Sequence, residues 1–188
     1  MSAFEFISVA LSFVLGLGIA RLLTAAVNVF RRRDEIEIHW MPLVWAVSIF
    51  MFQIQFWWTI FDLSESVEQW TLLRFVSLLG MAMLLFVAGA LVLPASGTGR
   101  HSNLLRDFEH DGRWALIFLL AYFTASLWVN WYFWRETPFD AIGAIVIALN
   151  AVLVLFLLLS NQVARNVVTV LYLLLSIYAC IELSPTAY

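Results

Sequence analysis

The chain has 188 residues, 63% of them hydrophobic and 12% charged, with a formal net charge of −3. A soluble domain is nearer half apolar and a quarter charged, so this composition excludes a water-facing globule and points to lipid as the solvent. The acidic balance excludes nucleic acid as a partner, because binding phosphate backbones needs a basic face.

Read in chain order, six apolar segments are separated by short polar breaks: roughly 4–30, 40–61, 70–93, 114–134, 139–160 and 167–183. Each is close to the ~20 residues that cross a hydrocarbon core at about 1.5 Å rise per residue. The predicted fold is an all-α, polytopic bundle of about six spanning helices in a single domain covering residues 1–188.

The first segment opens with Met1-Ser2-Ala3-Phe4-Glu5, which has no basic side chain, and its apolar run is longer than a signal-peptide core. It is expected to be a retained helix. Ser8, Ser12, Gly16, Ala20, Thr24 and Asn28 recur every fourth residue along it, with Gly18 close by. Residues four apart share a helix face, and in lipid a small-residue face lets two backbones approach closely. The ridge is therefore a candidate helix-packing face, within the chain or between two copies. Gly16-Leu17-Gly18 lacks the third glycine and the preceding strand of a dinucleotide fingerprint.

Arg21 is the most costly residue to insert. Nine residues separate it from Arg31, which sets it roughly 13 Å inside the boundary. A centred arginine costs roughly 2.5–3.5 kcal/mol, less if it snorkels. Gln53, Gln55 and Asn150 are its expected neighbours by depth, forming a polar cavity; the bland alternative is an arginine snorkelling along its own helix. Gln53, Gln55 and Asn130 form a second polar set at the other end. Either they rim a vestibule with Glu5, Arg74 and Glu182, or they make interhelical hydrogen bonds.

The breaks orient the chain. Arg31, Arg32, Arg33, Arg100, Arg106, Arg113 and Arg165 follow the odd-numbered segments; only Arg135, with Arg74 just inside the third segment, belongs to the opposite side. The positive-inside rule puts the arginine-rich loops in the cytoplasm and both termini outside. Trp57, Trp58, Trp70, Trp131 and Trp134 near one end, and Trp40 and Trp114 near the other, suit interfacial anchoring. A faint repeat relates the second and third segments to the fourth and fifth, setting Gln55-Phe56-Trp57 against Asn130-Trp131-Tyr132.

Cofactor chemistry finds no support. All ten basic residues are arginine, so no lysine exists to form a Schiff base. Cys180 is single and cannot form an internal disulfide. His39, His101 and His110 fall outside segment centres, so no intramembrane haem-ligand pair is expected. The 101–111 loop gathers His101, Asp107, Glu109, His110 and Asp111, at spacings that match no zinc pattern. Its Leu104, Leu105 and Phe108 suit a short helix resting on the inner membrane surface.

The stretches 13–23, 39–58 and 84–94, with Asp107-Phe108 through Gly112-Arg113-Trp114, resemble an uncharacterised family of small bacterial six-helix membrane proteins with no assigned activity. That resemblance implies a bacterial cytoplasmic membrane and transfers no catalytic residue. The expected function is non-catalytic: a self-associating or accessory subunit of a membrane complex, with lipids and other membrane subunits or further copies as partners. The alternatives are a small channel or transporter with a polar cavity around Arg21, and, more weakly, a lipid-handling protein.

Overall fold

The computed structural model describes residues 3–66, 70–94, 103–134 and 140–183, and these are helical apart from the connections. Six of the helices are long and apolar enough to cross a membrane. In hydrocarbon no water satisfies the backbone, so each spanning stretch pairs its amides within itself as a helix.

The helices are α1 (Ala3–Arg31), α2 (Trp40–Ser66), α3 (Leu72–Leu91), α4 (Leu104–Asp107), α5 (Arg113–Trp134), α6 (Ala141–Leu158) and α7 (Gln162–Glu182), with a π-helical turn over Phe108–Gly112 joining α4 to α5. Polar side chains set several starts. The Thr71 hydroxyl accepts from the Arg74 amide at 3.3 Å, and the Asn103 side chain accepts from Leu105 and Arg106. Asn161 accepts from Val163 N at 2.9 Å, so α7 begins at Gln162, five residues before the apolar run that predicted a start at 167. These are side-chain caps on otherwise orphaned amides.

Helices α2, α3, α5, α6 and α7 form a closed ring, each packed on the next and α7 returning to α2. Helix α1 lies outside the ring, against α3 and α2. It buries Ile7, Leu11, Leu15, Leu22, Ala25 and Val29, a stripe at spacings of three, four and seven residues that keeps to one helix face.

Three connections meet at one end. Asn103 Nδ2 donates to Glu37 Oε2 at 2.6 Å, and Leu104 N donates to the Glu37 carbonyl at 3.1 Å, tying the α1–α2 connection to α4. Arg113 Nη2 donates to the Leu157 carbonyl at 2.8 Å, capping the end of α6. Arg165 pairs with Glu109 at 2.8 Å and lies over the Phe156 ring. Arg31, Arg32, Arg33, Arg106, Arg113 and Arg165 thus share this end. Arg100, His101, Arg135 and Glu136 lie outside the described residues.

The short helix in the 101–111 loop does not rest on the membrane surface as its sequence suggested. Leu104 and Phe108 are 1% and 2% exposed, and the Phe108 ring reaches Phe156 with centroids 6.3 Å apart. The π turn runs without a break into α5, so the candidate span is Leu104–Tyr132 and its first turns plug the ring. Burying these side chains in protein satisfies the same apolar face that lipid headgroups would meet less well.

Candidate functional site

Aromatic side chains fill much of the ring. From the arginine-rich end, Phe108 contacts Phe156, Phe156 contacts Trp45 at 4.9 Å, and Trp45 contacts Tyr172 at 4.5 Å. Tyr172 continues to Phe52, and Phe52 meets Phe123 edge-on at 4.8 Å. Tilted and edge-to-face pairs of this kind are the favoured ring geometries. The column makes this part of the interior a packed core.

Beyond Phe52 and Phe123 the ring opens into a cavity of about 230 Å³ lined from all five directions. Helix α5 presents Tyr122, Ser126 and Asn130 to it, a polar line at every fourth residue; α2 presents Gln55 and Thr59 in the same register. The walls between are apolar, including Phe56, Leu78, Met81 and Val146, and among the described residues no charged side chain lines the space.

The hydrogen bonding divides these groups. Gln55 Nε2 donates to the Leu183 carbonyl at 2.8 Å, fastening α2 to the end of α7. Thr59 and Ser126 hydroxyls donate to carbonyls of their own helices, Gln55 at 3.0 Å and Phe123 at 2.8 Å. Tyr122 and Asn130 have no hydrogen-bond partner among the described residues. Both residues line the cavity. Their donors and acceptors are available to whatever enters.

The residues predicted to share a site are separated. Gln55 and Asn130, the two positions matched in the faint repeat, both line this cavity. Gln53, two residues away, points to a different side of α2. It is fully buried, and its Nε2 donates to the Leu85 carbonyl of α3 at 3.2 Å. Its Oε1 is buried without a hydrogen-bond partner among the described residues. Glu5, Arg74 and Glu182 do not line the cavity. Asn150, midway along α6, buries its Oδ1 without a partner and lies away from the cavity.

Arg21 does not gather the polar groups expected around it. It is half-buried on α1, outside the ring, and makes no hydrogen bond or ion pair among the described residues. Gln53 comes within one turn of it, beside Gly18, but spends its amide on Leu85.

Nor does the small-residue ridge pack along its length within the chain. Gly16, Ala20 and Thr24 are exposed, and nothing lies within 4 Å of where a Cβ on Gly16 would stand. Ser8 donates back to the Glu5 carbonyl, and Ser12 accepts from Trp57 Nε1 at 3.2 Å, which ties the ridge to α2 at that point. The glycine that α1 uses for close packing is Gly18, which sits against the Phe86 backbone of α3.

Among the described residues no group of three or more His, Cys, Asp or Glu could hold a metal ion. His110 lies 2.7 Å from its neighbour Asp111, and both are exposed.

The sequence reading singles out Asn130 but not Tyr122 and Ser126, although the three recur along α5 at i, i+4 and i+8. Tyrosine and serine scattered through an aromatic helix carry little signal until a second helix faces them. No protein-family model matches the chain, and no curated protein or solved structure matches it either.

Proposed function

We propose that this is a non-catalytic integral membrane protein of a bacterial cytoplasmic membrane, with both termini outside, which associates with a second copy of itself through α1. One observation carries the reading: the Gly16-Ala20-Thr24 face is left unpacked while the opposite face of α1 is buried in α2 and α3. Phe13, Leu17, Leu23 and Val27 flank it as exposed apolar walls, leaving a shallow groove along the helix. Two such grooves are self-complementary, and the close approach they allow is the ordinary driving force for helix association in lipid.

Arg21 supports the same reading. Self-association would bring Thr24 and Asn28 of the facing copy toward its guanidinium, as acceptors the single chain does not provide. Interhelical hydrogen bonds in membranes average about 0.6 kcal/mol, so this is a contribution to register rather than the main driving force.

A channel around Arg21 has less support, because Arg21 lies outside the ring and aromatic side chains fill the interior.

Disulfide crosslinking in native membranes tests the proposal. In a Cys180→Ala background, Ala20→Cys should give covalent dimers on oxidation. Val154→Cys, exposed on α6 at the far side of the ring, should not. Gly16→Ile should abolish the dimer seen by native mass measurement in mild detergent. A monomer under all conditions, or equal crosslinking at positions 20 and 154, overturns it.

A further inference from the structure

The cavity has the features of a ligand site, and its chemistry restricts the ligand. Among the described residues no charged side chain lines it, so a phosphate head or a metal ion would meet no counter-charge there and lose its hydration. The lining is predominantly apolar with a few convergent polar groups, the usual composition of a small-molecule site. At about 230 Å³ it falls below the ~300–1,000 Å³ of sites for drug-sized molecules. It therefore suits a head of modest size.

The polar groups specify the rest. The Tyr122 hydroxyl can donate or accept, and the Asn130 amide can do both at once. They are eight positions apart, about 12 Å along α5, so one group lies toward the floor and the other toward the mouth. Between them, the Ser126 and Thr59 hydroxyls keep free lone pairs after donating to backbone. Phe56 and Phe123 both contact the Tyr122 ring, with centroids at 6.1 and 5.1 Å, and give the floor aromatic faces and edges. Aromatic walls with hydrogen-bonding groups at both ends fit a planar, uncharged ring bearing carbonyl or hydroxyl groups.

From this geometry we infer that the cavity binds the head of an uncharged, ring-headed lipid of the quinone type, with Tyr122 and Asn130 hydrogen-bonding its ring oxygens. A bilayer can supply such a molecule. No electron transfer is included: the site holds the ring without a redox partner. This inference is independent of self-association, since α1 contributes nothing to the cavity lining.

The test is saturable binding of decylubiquinone to the purified full chain in nanodiscs, read by thermal stabilisation and by quinone retained after washing. The wild type should bind saturably. Tyr122→Phe with Asn130→Leu should weaken binding roughly tenfold or more, as expected when about 1.4 kcal/mol of hydrogen bonding is lost. Asn150→Leu, a polar-to-apolar change away from the cavity, should bind like the wild type and so control for partition into lipid. Val146→Phe, which fills the cavity while keeping its polar groups, supplies a second variant should the double substitution fail to fold. It should abolish binding. Retention that is not saturable, or that is equal in the wild type and the folded variants, overturns the inference.

Discussion

Gln53 on α2 sets its amide nitrogen 2.8 Å from the point where a Cβ on Gly89 of α3 would stand. The same nitrogen lies 3.0 Å from the corresponding point on Gly18 of α1. One fully buried amide therefore occupies space that two glycines on two helices leave free, and donates to Leu85 between them. Here α1, α2 and α3 are locked together.

Gly89→Ala should therefore destabilise the protein by about 1–3 kcal/mol, the range for overpacking a filled interior. Gly80→Ala, with nothing within 4 Å of its Cβ position, should be neutral or stabilising by up to about 1 kcal/mol. Thermal unfolding in mild detergent compares them. Combining Gly89→Ala with Gln53→Ala should cost less than the sum of the two, because the clash vanishes with the amide. Strict additivity would show that the amide and the glycine are not coupled.

A second glycine holds the π turn in its shape. A Cβ on Gly112 would come within 2.3 Å of the Phe108 ring, so Gly112→Ala must push Phe108 out of the ring of helices. The expected loss again lies near 1–3 kcal/mol, visible as a lower unfolding temperature. Phe108→Leu/Gly112→Ala should recover part of what Gly112→Ala loses. No recovery would place the cost in the turn's backbone.

The Glu109–Arg165 pair should matter through Arg165, whose side chain is 13% exposed against 42% for Glu109. Glu109→Ala leaves a largely buried guanidinium with only the Phe156 ring beneath it. It should cost about 1 kcal/mol or more, above the usual value of an exposed pair. Replacing both, as Glu109→Ala/Arg165→Met, should be milder than Glu109→Ala alone, because the unpaired charge is gone. The comparison is made by unfolding at fixed low salt.

Orientation is checked by labelling single cysteines in intact cells, in a Cys180→Ala background. A membrane-impermeant maleimide should reach Ser2→Cys and Ser184→Cys, and should reach His110→Cys only after the cells are opened. Labelling of His110→Cys in intact cells would reverse the topology expected from the arginines.

The hydropathy pattern determined that six helices of membrane length exist and roughly where they lie. Hydrocarbon imposes that result locally: each segment must satisfy its own backbone, so length and apolarity alone decide it. One boundary moved because a polar side chain, Asn161, capped a helix earlier than the apolar run suggested, and another because the π turn carried the fourth span back to Leu104.

Which face of each helix meets which neighbour was decided by the tertiary structure alone. In water, an apolar stripe marks the buried side of a helix; in lipid, both sides are apolar and the stripe disappears. Gln53 and Gln55 look interchangeable in the sequence, yet one locks α1 to α3 and the other lines the cavity. Leu104 and Phe108 carry the same apolar signal whether they rest on headgroups or plug a bundle. The ridge of small residues on α1 was visible at once, but only the packed ring reveals that its centre is left uncovered.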